Sequence, residues 1–225
     1  MNDKELVAHY AAQQVLDGML VGLGTGSTAN YFIAELARRV KDDALNIQVA
    51  SSSVISTLKA QEQGLSIVSI EHLERLDLYV DGADEITPDL VLLKGRGSDL
   101  VREKLMARAA ERFLVIADQS KLVSRIGEKF SIPIEVPPFA WRLVKRSLEA
   151  LGGHGDLRPN ANKDGFWITS HGSLVLDMTF PESMGNERLN EALNSTPGVV
   201  EHGIFHGLAS VVYVADNGQV VEKRR

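Results

Sequence analysis

The chain has 225 residues, of which 44% are hydrophobic and 24% charged, a balance typical of globular proteins with one sizeable core. Its 24 basic and 30 acidic residues leave a formal net charge of −6, which argues against a nucleic-acid-binding surface. The absence of cysteine excludes disulfides, thiolate metal sites and cysteine nucleophiles. Because neither a signal-peptide pattern nor a membrane-spanning apolar run is present, we expect a cytoplasmic protein that does not bind membranes.

The first half of the chain alternates short apolar runs, typical of strands, with apolar residues at helical spacing. Strands are predicted at 19–23, 47–50, 66–70, 76–80, 90–93 and 113–117, and helices at 6–16, 31–40, 54–63 and 98–112. This alternation predicts an α/β fold, a Rossmann-like and mainly parallel sheet with helices on both faces.

The pattern changes near residue 131. Strands are predicted at 132–136, 166–169, 173–178 and 199–205, with a weaker pattern at 155–158, and helices at 140–151 and 186–193. The β-α-β-β-α-β order predicts a smaller split-βαβ, ferredoxin-like α+β domain, after which a strand at 209–214 returns to the main sheet. We therefore predict an α/β catalytic domain at 1–130 and 206–225 and a small domain at 131–205.

A glycine-rich segment, Gly22–Thr28, lies between a predicted strand and a predicted helix. Glycines let the backbone approach a ligand closely, and a helix start offers free N–H groups and the positive end of the helix dipole. Because the spacing matches neither the Walker motif nor the dinucleotide-binding motif, the segment favours a single phosphate. An ordinary strand-to-helix turn with a Ser/Thr cap is the alternative. The candidate phosphate-binding residues are Thr25, Gly26, Ser27 and Thr28.

Three carboxylates, Asp81, Asp84 and Glu85, follow the next apolar run. Open α/β sheets place their sites at the carboxyl ends of strands. Crowded like charges disfavour one another's ionisation, which suits at least one of these groups to proton exchange near neutral pH. The alternative is an acidic turn that faces solvent. The candidate residues of this segment are Asp81, Gly82, Ala83 and Asp84.

A lysine and a glutamate follow the predicted strand at 90–93. Lys94 stands beside glycines, where it can reach over an anionic substrate, and Glu103 in the next helix is a suitable general base. The alternative for Glu103 is a residue that the helix dipole favours in the first turns. Lys121, after the strand at 113–117, is either another anion contact or a solvated loop lysine. The candidate ligands of these loops are Lys94, Gly95, Arg96, Gly97 and Lys121.

The four candidate segments share one position in the predicted topology. Each follows a strand of the same predicted parallel sheet, so we expect all four to project from one edge of that sheet. The six histidines are dispersed and lack metal-ligand spacing, which argues against a metal site. A Gly-x-Ser-x-Gly motif is missing from the sequence, so serine-hydrolase chemistry lacks support.

Six motifs in order give the sequence a clear resemblance to the A-type ribose-5-phosphate isomerase family along nearly its whole length. The motifs lie at 22–28, 81–85, 94–97, 102–104, 117–121 and 132–136. The resemblance implies that Glu103 is the base that moves a proton between C2 and C1 and that Lys94 stabilises the enediolate. It also implies that Asp81 assists ring opening and that Asp84 orients hydroxyls or water.

The resemblance further implies that residues 25–28 and Lys121 hold the substrate and its phosphate. The family needs neither a metal nor an organic cofactor, and it implies a homodimer, with a tetramer as the alternative. The resemblance also implies a small sugar phosphate as substrate, and removing a proton beside its carbonyl requires both a positioned base and a cation near the oxygen.

This sequence departs from the family at three places. Arg96 interrupts a glycine run, His202 replaces a common asparagine, and the segment 163–177 is divergent. Arg96 strains the backbone if the position requires a positive φ. Otherwise it adds a cation near the sugar phosphate or faces outward.

Two other classes of function compete with the isomerase. A sugar-phosphate-sensing module would bind without turnover, but it gives no purpose to Glu103 and Lys94 and lacks a preceding helix-turn-helix. An amino-sugar-phosphate deaminase or an acyl-CoA transferase of similar sheet topology fits the pattern of Asp81, Lys94 and Glu103 less well.

Overall fold

The computed structural model of the chain describes residues 2–97 and 99–224. Its strands are β1 (Leu20–Leu23), β2 (Gln48–Ser51), β3 (Leu76–Asp81), β4 (Glu85–Ile86), β5 (Leu92–Leu93), β6 (Ala110–Asp118), β7 (Ile132–Val136), β8 (His154–Leu157), β9 (Leu174–Thr179), β10 (Glu201–His202), β11 (Ile204–Phe205), β12 (Val211–Asp216) and β13 (Gln219–Arg224). Its α-helices are α1 (Asp3–Ala12), α2 (Ser27–Asp42), α3 (Val54–Glu62), α4 (Leu100–Ala109), α5 (Trp141–Ala150) and α6 (Asn186–Ser195).

The chain divides into two compact units. The first consists of the described residues of Met1–Ala83, Arg102–Lys121 and Leu208–Arg225, and the second of those of Asp84–Val101 and Leu122–Gly207. The second unit therefore includes a segment, 84–101, that precedes the predicted small domain. The predicted domain boundaries stay a prediction.

The first unit is built on a six-stranded sheet with the order β13-β12-β6-β3-β1-β2. All neighbours pair in parallel except β12 and β13, which are antiparallel. The mainly parallel sheet predicted from the sequence is confirmed, and so is the return of the strand after residue 209 to this sheet. The C-terminal edge strand β13 was not among the predicted strands, since its residues are mostly polar and exposed.

Side chains alternate between the two faces of this sheet, as in any strand. Val21 and Leu23 of β1 pack with Phe32 and Leu36 of α2 in one core cluster, which also contains residues of α1. On the opposite face, a side chain at Gly22 would meet Tyr79 and Met106 of α4. Helices therefore cover both faces, as the sequence predicts.

The second unit contains a four-stranded antiparallel sheet with the order β10-β7-β9-β8. Its elements follow in the order β7-α5-β8-β9-α6-β10, which confirms the β-α-β-β-α-β order. The core of this unit includes Ile134 of β7, Leu148 of α5 and Leu193 of α6. A second, three-stranded antiparallel sheet has the order β11-β5-β4.

Several predicted strands are wrong in detail. Residues 66–70 and 166–169 form isolated bridges only. The strand predicted at 199–205 is two short strands, β10 and β11, which join different sheets on either side of Gly203. A Cβ at Gly203 would lie 2.4 Å from the carbonyl oxygen of Lys94 and 2.7 Å from Pro133, so the strand turns where only glycine fits.

The predicted helix at 98–112 ends earlier, because β6 begins at Ala110, and Ser98 lies outside the described residues. Within residues 2–97 and 99–224, no helix combines the length and the apolar composition that crossing a bilayer requires.

Candidate active site

The glycine-rich segment lies at the carboxyl end of β1 and leads directly into α2. Gly26, the residue before the helix, has φ 108°, a backbone conformation that favours glycine. No side chain of the described residues caps this end of the 16-residue helix, so its first N–H groups stay open to an anion. Thr25 and Thr28 are partly buried and Ser27 is exposed. The predicted glycine turn into a helix start is therefore present, and its role in phosphate binding stays a prediction.

Asp81 ends β3, which pairs in parallel with β1. Its carboxylate is buried, and Oδ1 accepts hydrogen bonds from the backbone N–H of Thr25 at 3.1 Å and of Gly82 at 2.7 Å. A Cβ at Gly24 would lie 2.1 Å from this carboxylate, so the close approach of the two strand ends requires glycine there. Asp81 and the glycine-rich segment thus form one hydrogen-bonded cluster.

Tyr79 is hydrogen-bonded to Asp81 and is also influenced by the charge of Glu103, within the first unit. The Tyr79 hydroxyl donates a hydrogen bond to Asp81 Oδ2 at 2.6 Å. Burial, together with the negative charges of Asp81 and Glu103, raises the pKa of Tyr79 well above its ordinary value. Glu103, in the first turn of α4, is itself buried. The charges of both candidate acid–base groups therefore act on the same phenol.

A cavity of about 530 Å³ beside the start of α2 is lined by Lys4, Ser27, Tyr31 and Asp118, among others. Lys4 Nζ donates a hydrogen bond to Ser27 Oγ at 2.9 Å. Burial alone would raise the pKa of Asp118, but hydrogen bonds from Ser120 and the charges of Lys121 and Lys4 lower it. Lys4 is a cation of this region that the sequence analysis missed, because it is one charge in a polar segment before the first predicted helix.

Lys94 lies in the second unit, where it follows β5. Its backbone N–H donates to the carbonyl oxygen of Gly203 at 2.9 Å, and its buried Nζ lies 5.7 Å from the centre of the Phe205 ring. The expectation that β5 belongs to the parallel sheet is wrong. The strand instead pairs antiparallel with β4 and β11, since hydrogen bonds between Thr87 and Val91 close a tight hairpin before it.

Arg96 does not strain the backbone, because its φ is not positive, whereas Gly95 has φ 88°. The Arg96 guanidinium stacks over the Phe130 ring at 3.9 Å from its centre. Its Nη1 also lies 4.0 Å from Oδ1 of Asp84, whose side chain is 25% exposed. Of the three roles considered for Arg96, the strained backbone is excluded, and the side chain supplies a cation beside a candidate site carboxylate.

The loop that carries Lys94, Gly95, Arg96 and Gly97 is held by an arginine that the sequence analysis did not single out. Arg158 Nη1 donates to the carbonyl oxygens of Arg96 at 3.0 Å and of Gly97 at 3.2 Å. The same guanidinium binds both carboxylate oxygens of Asp177, at 2.8 and 2.7 Å. A lysine ammonium group cannot reproduce this arrangement, in which one planar guanidinium group binds a carboxylate through two nitrogens and also binds two carbonyl oxygens.

The candidate residues therefore fall into two groups. The first unit contains Thr25, Gly26, Ser27, Thr28, Asp81, Gly82, Ala83, Glu103 and Lys121, and the second contains Asp84, Lys94, Gly95, Arg96 and Gly97. Among the described residues, no three His, Cys, Asp or Glu side chains are grouped so that they could hold a metal ion. His202, which departs from the family pattern, is buried in β10, and its Nε2 atom lies 3.1 Å from Asn194 Oδ1.

Comparisons with known proteins agree on one family. The family model described as ribose 5-phosphate isomerase A (phosphoriboisomerase A) matches residues 48–219. A ribose-5-phosphate isomerase A of Thermosynechococcus vestitus is 42% identical over 220 residues, which cover 97% of this chain and 92% of that protein. One from Methanothermobacter thermautotrophicus is 43% identical over 212 residues, 94% of this chain and 93% of that protein.

Solved structures give the same result. The ribose 5-phosphate isomerase A of Methanocaldococcus jannaschii has a TM-score of 0.93 at 37% identity and covers 99% of this chain and 98% of its own. A D-ribose-5-phosphate isomerase in complex with phospho-erythronic acid has a TM-score of 0.95 at 37% identity over 100% of both chains. The chain therefore belongs to the ribose-5-phosphate isomerase A family, the aldose–ketose isomerases of the pentose phosphate pathway.

Proposed function

We propose that the chain interconverts D-ribose 5-phosphate and D-ribulose 5-phosphate through an enediolate intermediate, in the non-oxidative part of the pentose phosphate pathway. The observation that carries this proposal is the cluster in the first unit, in which an open helix start, Asp81 and Tyr79 are joined by hydrogen bonds. The relative that carries phospho-erythronic acid supports a sugar phosphate as the ligand class.

The phosphate binds at the start of α2. The backbone N–H groups of residues 25–28 and the hydroxyls of Thr25, Ser27 and Thr28 supply donors, and the helix dipole favours the negative charge. Lys121 and Lys4 add positive charge to this region, since both act on Asp118. Fixing the unreactive phosphate orients the sugar for the steps at C1 and C2.

Ring opening comes first, because ribose 5-phosphate is mainly a closed ring. Asp81 takes the proton of the anomeric hydroxyl and delivers a proton to the ring oxygen, so the C1–O4 bond breaks, a C1 aldehyde forms and the carboxylate is regenerated. Asp84 orients a substrate hydroxyl or a water molecule during this step. Arg96 supplies a positive charge beside Asp84.

Proton transfer follows. The Glu103 carboxylate takes the proton from C2, and the electron pair moves to the C1 oxygen to give an enediolate. Lys94 stabilises that charge, and Gly95 and Gly97 let the backbone of its loop approach the sugar. Glu103 then returns the proton to C1, and the proton of the C2 hydroxyl passes to the C1 oxygen as the C2 ketone forms.

The proposed scheme uses neither a metal nor an organic cofactor. We also propose that the enzyme acts in the cytoplasm as a homodimer, with a tetramer as the alternative. Exposed apolar side chains of the second unit support self-association, among them Phe139, 88% exposed, and Leu143, 71% exposed.

Ketose formation from ribose 5-phosphate in the presence of a metal chelator tests the proposed function. We expect the wild-type protein to form ketose and Glu103→Gln to lose at least about a hundredfold in kcat, because the amide cannot accept the proton. Substrate affinity should stay within a few-fold, since the phosphate contacts are unchanged. A wild-type protein that binds ribose 5-phosphate without turnover would instead be a sensing module.

A further inference from the structure

Tyr79 is a buried phenol of the first unit to which the proposed reaction gives no role. It lies in β3, two residues before Asp81, and has no exposed surface. Its ring stacks on Phe113, with ring centroids 4.9 Å apart. A buried hydroxyl needs a hydrogen-bond partner, and here that partner is the carboxylate assigned to ring opening, at 2.6 Å.

The Asp81 carboxylate is held on both of its oxygens. Oδ1 accepts from the backbone N–H groups of Thr25 and Gly82, whereas Oδ2 accepts from the Tyr79 hydroxyl. Donors on both oxygens oppose rotation of the carboxylate about its last side-chain torsion. The hydrogen bond from Tyr79 is charge-assisted, and such bonds are about twice as strong as neutral ones.

The surroundings keep Tyr79 in the form that donates. Burial and the nearby charges of Asp81 and Glu103 raise its pKa well above that of free tyrosine, so the phenol keeps its proton at neutral pH. Ser52 also acts on the pKa of Tyr79, and its Oγ lies 3.3 Å from Oγ1 of Thr25. The phenol thus lies in the same cluster as the ring-opening carboxylate and the proposed phosphate loop.

We propose that Tyr79 is a positioning residue, whose hydroxyl fixes the Asp81 carboxylate in the orientation that takes the anomeric proton. The inference rests on the proposed function, because it assumes that Asp81 acts in ring opening. Without the hydroxyl, Asp81 Oδ2 loses a donor and the carboxylate gains freedom to turn away from the sugar.

The chemistry of the two sugars separates ring opening from proton transfer. Ribose 5-phosphate closes a five-membered ring through its C4 hydroxyl. In ribulose 5-phosphate the corresponding C5 oxygen carries the phosphate, so the ketose stays open. Exchange of a ketose C1 hydrogen for solvent deuterium therefore needs the base Glu103 but no ring opening.

The test compares Tyr79→Phe with the wild type in both reactions. We expect Tyr79→Phe to convert ribose 5-phosphate about tenfold more slowly than the wild type, because the loss of one hydrogen bond to a charged group has about this effect. We expect the same variant to exchange the ketose C1 hydrogen at a rate within twofold of the wild type. The ratio of exchange to isomerisation thus rises about tenfold. This ratio does not depend on how much of the variant is folded, because both rates come from the same sample.

Tyr213→Phe is the matched control. Tyr213 is also buried, in β12, and it packs edge-on against Tyr10 in the core cluster on the opposite face of the sheet. We expect this variant to keep both rates within twofold. An unchanged ratio in Tyr79→Phe, or the same rise in Tyr213→Phe, overturns the inference. The failure of the proposed function would give another result, in which the wild type itself neither forms ketose nor exchanges the ketose C1 hydrogen.

Discussion

The two units hold their candidate residues by different means. In the first, Asp81 is fixed by backbone N–H groups and a buried phenol, and the approach of β1 and β3 leaves room only for glycine at position 24. In the second, the loop after Lys94 is fixed by a long side chain, Arg158, which Asp177 holds in turn. The first arrangement is set by the strands themselves, whereas the second depends on one ion pair.

The largest effect is expected from Gly24→Ala in the first unit. The added Cβ would lie 2.1 Å from the Asp81 carboxylate, which cannot move aside without losing its hydrogen bonds from Thr25, Gly82 and Tyr79. We expect activity to fall at least about a hundredfold and the free energy of unfolding to fall by about 1–3 kcal/mol, the usual cost of overpacking. Steady-state kinetics and denaturant unfolding measure the two.

Gly165→Ala is the control for this prediction. Gly165 is exposed, and its added Cβ would meet only the Asn160 side-chain amide, at 3.3 Å. This variant should match the wild type in activity. If Gly24→Ala does so as well, the strand ends do not fix Asp81 and the contrast between the units disappears.

A smaller effect is expected from Arg158→Lys in the second unit. An ammonium group cannot bind both Asp177 oxygens and two carbonyl groups at once, so the loop after Lys94 loses its fixed position. We expect kcat to fall about tenfold. Arg125→Lys, in an exposed ion pair with Glu182 of the same unit, should change kcat less than twofold. Equal losses in the two variants would show that Arg158 acts on stability alone.

The smallest effect is expected from Arg96→Gly. The Arg96 side chain is 48% exposed and lies 4.0 Å from Asp84, and ion pairs of this kind contribute at most about 1 kcal/mol. Its stacking on Phe130 adds a similar amount. We expect kcat/KM to fall about threefold, measured with four-, five- and six-carbon aldose phosphates. If none of these rates changes, Arg96 is a surface residue without influence on Asp84.

The contrast between the two units also explains which candidate residues the sequence places correctly. Short, mainly apolar runs reveal β1, β3 and β6, and glycines and carboxylates after such runs mark the carboxyl edge of a parallel sheet. The positions of Gly24, Gly26 and Asp81 in the first unit follow from this local pattern.

The parts that sequence reasoning missed depend on contacts between distant segments. The two-residue strands β4, β5 and β11 are too short to show a period, so the sequence pattern places Lys94 after a strand of the wrong sheet. Arg158 lies 61 residues from Gly97 along the chain, and no local pattern marks that contact. Tyr79 reads as one more apolar residue of a buried strand, since only the fold shows its hydroxyl against Asp81.

The central claim is that Glu103 moves the proton between C2 and C1. The most direct measurement is the rate of ketose formation from ribose 5-phosphate by the wild type and by Glu103→Gln. Glu111→Gln is the control, because it alters an exposed glutamate of the same unit. The account predicts that Glu103→Gln retains about 1% of the wild-type kcat or less, while Glu111→Gln stays within twofold. A Glu103→Gln variant that turns over at the wild-type rate would contradict it.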